Sequence, residues 1–362
     1  HALVGHPWQV FGALWLYSMA VGGAVSGAVN LTGNADFFGG SLSGAAVLVS
    51  GANLTFKSTF AGTLTGNLTV PAGATLQFEQ SAAVRYDKVI SGTGVINFNG
   101  TGRTTFGGSS NGFTGTVNVN AGEFRIDDPT NTAGDLGVTD IIVNNGGRFQ
   151  FGDATIGNPD LPNTTYITAN AGGVVAFQEA EDFGGIHLNG GTVLLEMSGF
   201  NTQGTTLQVW KSGTITTAVG GVTPYAIGGV ALVQKLTTGV VEVGGLAALN
   251  MTGGLQIAEG TVRFLTAANL GTGALPISLG SDSTAPSPTV GRFDYAGATA
   301  TRSGGFAVNQ GGGVIGVTTA GSTLTLSGTL TGAGNLSKVG AGNLTMGDAT
   351  AYAGLITVLE GG

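Results

Sequence analysis

The chain has 362 residues; 68 are glycine, about a fifth against a usual level of roughly 7%, and 9% are charged against about 25%. Glycine without an every-third period excludes a collagen-like triple helix, and the 42% apolar content excludes disorder, which needs low hydrophobicity and much charge. A net charge of −8 with no run of Lys or Arg argues against a nucleic-acid partner, and zero cysteines exclude disulfides, thiolate metal sites and a cysteine nucleophile.

Residues 1–35 carry no Asp, Glu, Lys or Arg, and the apolar run WQVFGALWLYSMAV (8–21) holds Trp8 and Trp15. Three roles compete for this segment: a cap or side strand on the fold that follows, a contact for a neighbouring subunit, or a membrane span, which needs about 20 apolar residues. Membrane contact is confined to these residues as a candidate.

From residue 36 the chain reads as a solenoid. Two apolar residues one apart, a short Asn, Gly or Ala turn, and two more apolar residues one apart recur in VLVSGANLTF (47–56), LTVPAGATLQF (68–78), VNVNAGEFRI (117–126), IIVNNGGRFQF (141–151) and IHLNGGTVLLEM (186–197). Period-two alternation marks strands with one buried face, and the turn residues tolerate positive φ or preset a bend. Residues 200–250 do not phase, and VWKSGTITTAVGGVTPYAIGG (209–229) reads as a loop or insertion. The pattern returns in TGGLQIAEGTVRF (252–264), which aligns without a gap on residues 114–126.

Glycines spaced by seven accompany the strands: Gly44/Gly51, Gly66/Gly73, Gly115/Gly122, Gly253/Gly260 and Gly354/Gly361. A lone strand–turn–strand unit cannot bury its apolar face, whereas stacked copies bury a continuous column. Low charge follows, because like residues stand directly above one another and like charges so placed repel; Asn and Thr can instead hydrogen-bond up the stack. The predicted fold is therefore all-β, a parallel β-solenoid over residues 36–362 with coils of roughly 20–25 residues.

Gly340, Gly342, Leu344, Thr345, Tyr352, Gly354, Val358 and Gly361, and again Gly100, Gly102, Thr104, Phe113, Gly115, Val119 and Gly122, stand in a pattern that resembles the autotransporter-associated β-strand repeat. NTAGDLG (131–137) and TAANLGTG (266–273) resemble its sequel. The likeness covers about a third of the chain, around residues 98–152, 238–280 and 325–362. It implies a right-handed parallel β-helix in a secreted bacterial protein at the cell surface, with scaffolding rather than chemistry as its role. The last residues, GAGNLTMGDATAYAGLITVLEGG (340–362), stop where the repeat would continue, so the chain is expected to be part of a longer polypeptide.

The search for chemistry is short. For His1 and His6, metal binding through imidazole and the terminal amine competes with a pair of histidines on a flexible or capping end, and His187 alternates with Ile186 and Leu188, outward from a strand. Asp127, Asp128, Asp135 and Asp140 cluster in IDDPTNTAGDLGVTD (126–140), where a calcium loop competes with turn aspartates facing solvent. QEAEDFGG (178–185) brings Glu179, Glu181 and Asp182 together, and a glycosidase needs two carboxylates about 5–10 Å apart. The seven arginines are scattered; Arg125 and Arg263 share one repeat position, as do Arg148 and Arg292, which reads as architecture.

Phe56, Phe78, Phe124, Phe149, Phe151, Phe177 and Phe264 recur after the turns and read as an internal ladder rather than a sugar-stacking face. Asn30, Asn53, Asn67, Asn250, Asn335 and Asn343 form glycosylation sequons but sit in the repeat as strand positions. No catalytic, metal or cofactor residue is assigned, and no cofactor is expected. The sequence reads as a non-catalytic structural or adhesive surface protein that self-associates into a filament or layer or grips cell-surface glycans. A polysaccharide-binding module and a carbohydrate-active β-helix enzyme are its rivals.

Overall fold

The computed structural model describes residues 14–16, 19–21, 25, 28–39, 41–57, 63–127, 136–152, 161–179, 181–196, 200–202, 208–217, 226–230, 232–246, 248–271, 275–282 and 287–362. They fall into two units, His1–Asp182 and Phe183–Gly362. Each is a stack of parallel strands, a β-solenoid, and the helical structure among the described residues is a 3-10 turn at Ala267–Leu270.

Strands of four residues are too short to persist alone, so each gains its hydrogen bonds from the coil above and below. In the first unit one column runs through Asn34–Phe37, Asn53–Phe56, Thr75–Phe78, Val95–Phe98, Thr116–Val119, Asp140–Val143 and Tyr166–Asn170, every pair parallel. A second column stacks Val84–Tyr86, Arg103–Phe106, Gly122–Ile126, Gly147–Phe151 and Val174–Phe177. A third stacks Leu14–Leu16, Val29–Leu31, Ala46–Leu48, Leu68–Thr69 and Ile90–Ser91. In the first unit, side-chain hydrogen bonds between successive coils join residues 18 to 27 apart, around the expected period.

The second unit uses longer strands. Gly185–Leu195, Gln208–Thr217, Val233–Val243 and Leu255–Phe264 lie parallel, with shifts in register partway along each pairing. The last of these pairs with two shorter strands, Ile277–Leu279 and Gly291–Tyr295. Residues 200–250 are thus no insertion: Gln208–Thr217 and Val233–Val243 are rungs, as are Ala226–Gly229 and Ala248–Met251. Residues 218–225 of the expected loop lie outside the described residues.

Register and alternation together make the core. Leu54, Leu76, Ile96, Val117 and Ile141 stand above one another, all essentially inaccessible to solvent. All seven phenylalanines expected in an internal ladder are buried. Phe78 stacks on Phe98 at 5.1 Å, Phe98 on Phe124 at 4.3 Å, and Phe124 meets Phe149 at 5.5 Å between ring centroids. Offset aromatic pairs of this kind add about 0.5–1.5 kcal/mol beyond the burial itself.

The spaced glycines also have a structural cause. At the second glycine of the motif, Gly122, Gly260 and Gly361 share a positive φ of 60–73°, and a Cβ there would lie within about 2.6 Å of two carbonyls of the coil before: 100 and 102, 237 and 239, or 340 and 342. Only glycine meets both demands.

Part of the segment 1–35 also stacks. Leu14–Leu16 pairs with Val29–Leu31, and Met19–Val21 with Asn34–Phe37, while residues 1–13 lie outside the described residues. No helix among the described residues is long and apolar enough to cross a membrane.

Candidate functional site

The residues singled out for chemistry do not converge. Asp127 is buried at the end of Gly122–Ile126, and its carboxylate meets the Arg85 guanidinium at 3.1 Å; a second Arg85 nitrogen donates to the Asp127 carbonyl at 2.9 Å. Asp140 opens a strand of another column, stays exposed, and accepts from the Thr139 hydroxyl at 3.1 Å. Asp128 and Asp135 lie outside the described residues. Asp127 is therefore a partner of an arginine, and no group of three or more His, Asp or Glu close enough to hold a metal occurs among the described residues.

Glu179 is half-buried against Gly152, Asp182 is exposed, and the Glu181 side chain lies outside the described residues. His187 is half-buried on its strand; its Nδ1 accepts the Val209 backbone N–H at 3.0 Å, a bond to the next coil. His1 and His6 lie outside the described residues. One open depression of about 380 Å³ in the second unit is lined by Thr238, Glu259, Thr261, Thr289, Val290 and Arg292. It presents a single carboxylate, and Arg292 turns instead to Asp294 at 2.6 Å.

What the stack does assemble is a set of ladders. Outward positions on the first column carry amides in direct register: Gln77 beside Asn97, and Asn97 beside Asn118. Asn118 donates to Asn97 at 2.9 Å. At the adjoining corner Asn99 donates to Gln77, Asn120 to Asn99, Asn144 to Asn120 and Asn170 to Asn144, at 2.7–3.1 Å. Rungs are about 4.8 Å apart, so each amide meets its like at hydrogen-bonding distance without cost in register. The result is a run of paired amides, which Ile142 ends on the first column one rung beyond Asn118.

Charged residues solve the repulsion problem by alternating in sign. Lys57 lies between Asp36 at 3.6 Å and Glu79 at 3.2 Å. Glu123 lies between Arg103 at 2.6 Å and Arg148 at 3.5 Å. Arg263 lies between Glu242 at 3.6 Å and Asp294 at 3.7 Å. Burial works against the Lys57 ammonium, but its bond to Glu79 and the Asp36 charge outweigh it and raise its pKa. The shared positions of Arg125 with Arg263, and of Arg148 with Arg292, are architectural in this sense.

Three buried cations were not legible in the sequence. Lys235 and Lys338 point inward, at the position Phe98 fills in another copy of the repeat. Lys235 Nζ donates to the carbonyls of Thr237 and Glu259, and Lys338 Nζ to those of Gly340 at 2.7 Å and Glu360 at 2.9 Å. Each ammonium thus ties its own coil to the next. Burial pushes Lys235 down to about 8, with the nearby Glu259 charge working the other way. Burial also lowers Lys338, and it takes Arg302 down to about 10. Arg302 donates to the carbonyls of Leu270, Gly304 and Leu275 and lies 4.9 Å over the Phe306 ring. The one available signal was Glu-Gly at 259–260 and 360–361, a coil after each lysine.

The Adhesin BmaC autotransporter of Brucella suis biovar 1 (strain 1330) is 35% identical to this chain over 102 residues, 28% of this chain and 3% of that protein. The chain therefore matches only a small part of that relative's length. No family model matches the chain, and no solved structure matches it.

Proposed function

We propose that this chain is a non-catalytic scaffold from a bacterial surface protein, serving in adhesion. The observation that carries the reading is the stacked parallel β-solenoid combined with sequence similarity to an autotransporter adhesin. A fold held together rung by rung needs no catalytic centre, and its outward columns repeat one contact many times, so weak single contacts add up through multivalency. Beads coated with the purified chain should be retained on host-cell or matrix-coated surfaces above albumin-coated beads. Retention no greater than that of albumin contradicts the proposal. Product release from uronate polymers, lost on changing Glu181 or Asp182, would point instead to an enzyme.

A second reading, a polysaccharide-binding face, draws on the amide columns of Gln77, Asn97, Asn99, Asn118, Asn120, Asn144 and Asn170. Their mutual hydrogen bonds lock the rotamers, which lowers the entropy cost of gripping a neutral glycan. On a glycan array, Asn97→Ala/Asn118→Ala should lose binding that the parent chain shows; equal signals from both would rule this face out. Self-association through residues 1–35 belongs to the same proposal. Light scattering should report assemblies for the whole chain and monomers once residues 1–13 are removed.

A further inference from the structure

We propose that Asn111 is a site of spontaneous covalent modification, converting to aspartate and isoaspartate through a cyclic imide formed with Gly112. The sequence holds four Asn-Gly pairs, at 99–100, 111–112, 145–146 and 189–190. Glycine after asparagine leaves the following backbone nitrogen unhindered, and asparagine is a thermolabile residue for this reason. The fold treats the four very differently.

Asn99 is held on both sides, donating to Gln77 at 3.1 Å and accepting from Asn120 at 2.8 Å, while the Gly100 N–H donates to the Phe78 carbonyl at 3.0 Å. Asn145 is exposed, but the Gly146 N–H donates to the Gly172 carbonyl at 3.2 Å. Asn189 and Gly190 lie inside the strand Gly185–Leu195. Asn111 and Gly112 are both exposed, in a turn closed by the Phe113 N–H on the Ser110 carbonyl at 2.9 Å. Neither the Asn111 side chain nor the Gly112 N–H is among the hydrogen bonds of the described residues.

The step needs only solvent. The Gly112 nitrogen attacks Asn111 Cγ and gives up its proton; the N–Cγ bond forms, the Cγ–Nδ2 bond breaks, and ammonia leaves with that proton. Water then adds to one imide carbonyl. Breaking the nitrogen's bond to Cγ yields aspartate, and breaking its bond to the main-chain carbon yields isoaspartate. The second product matters most for the stack. The Asn111 carbonyl lies directly against Gly137 of the next coil, where a Cβ would come within 2.0 Å of its oxygen. A rung lengthened by one methylene cannot keep that fit, so isoaspartate at Asn111 would loosen this corner and add a negative charge to it.

The test is timed peptide mapping by mass spectrometry of the full chain in mildly alkaline buffer, once folded and once in urea. In the folded chain the Asn111 peptide should gain its one mass unit about ten-fold faster than the Asn145 peptide, because the attacking nitrogen at Gly146 must first leave a hydrogen bond. The Asn99 peptide should be the slowest of the three, and in urea the rates should converge. Folded-state conversion at Asn145 or Asn99 as fast as at Asn111 would overturn the proposal. So would folded-state rates that keep the order seen in urea.

Discussion

Lys235 and Lys338 occupy positions where the period-two pattern calls for an apolar side chain, and both are almost wholly inaccessible to solvent. A buried charge persists when it is hydrogen-bonded, and the carbonyls of two coils supply those bonds. Nothing in VQKLTTG signals this, because the alternation does not phase there; the lysine stem packs like an aliphatic chain and its head closes the turn. Lys235 has a folded-state pKa of about 8, below its ordinary 10.5. The unfolded chain binds more protons between those values, so stability rises as pH climbs from about 8 toward 10. Above that, Tyr86 works the other way, because burial raises its pKa and stability falls once the unfolded phenol ionises. Urea midpoints between pH 7.5 and 9.5, taken as a working window about the value of 8, should climb for the parent chain and climb less for Lys235→Met.

The arginines differ among themselves at the same scale. Asp294 is 1% exposed and is met by Arg292 at 2.6 Å, whereas Arg103 is half-exposed on its ladder. Removing a partner from a buried carboxylate costs more than trimming a surface pair. Arg292→Ala should therefore destabilise by about 3 kcal/mol and Arg103→Ala by under about 1 kcal/mol, read from urea unfolding. Equal losses would mean that Arg263, the second arginine at 3.7 Å from Asp294, holds the carboxylate well enough without Arg292.

Elements were legible where a turn interrupts them. In LTVPAGATLQF and VNVNAGEFRI the Pro-Ala-Gly and Asn-Ala-Gly turns separate two short alternating runs, and the structure has strands on both sides of each. Residues 208–243 defeated the same reading because the strands there run 10 and 11 residues and turn the corner within a strand, at register shifts between Trp210 and Gly213 and between Leu236 and Val240. The phenylalanines were visible as buried because aromatics recur shortly after the turns; the structure distributes them over two columns, Phe56 and Phe78 in the first and Phe124, Phe149, Phe151 and Phe177 in the second. Phe98 links the two, 5.1 Å from Phe78 and 4.3 Å from Phe124. Phe98→Ala should cost about 3–5 kcal/mol in urea denaturation. A loss under about 1 kcal/mol would show that the rings do not carry the stack.

At the scale of the whole chain, low charge and abundant glycine share one origin. Every residue in a stack sees its counterpart about 4.8 Å away, which penalises like charges and favours residues that pair with themselves or vanish into a close approach. The fold class was accordingly legible from composition and period. The ladders were legible only as a tendency of Asn and Thr, because register decides which side chains meet. Asn97 and Asn118 are 21 residues apart in sequence yet face each other directly. Gln77 and Asn118 lie two rungs apart, about 10 Å.

That register is the central claim, and the absence of native cysteine makes it directly measurable. A disulfide needs Cα atoms about 4.4–6.8 Å apart, which adjacent rungs satisfy and alternate rungs do not. Under mild oxidation the Asn97→Cys/Asn118→Cys chain should close an intramolecular disulfide while staying folded, and the Gln77→Cys/Asn118→Cys chain should remain reduced. Closure of the second pair and not the first would contradict a parallel, in-register β-solenoid.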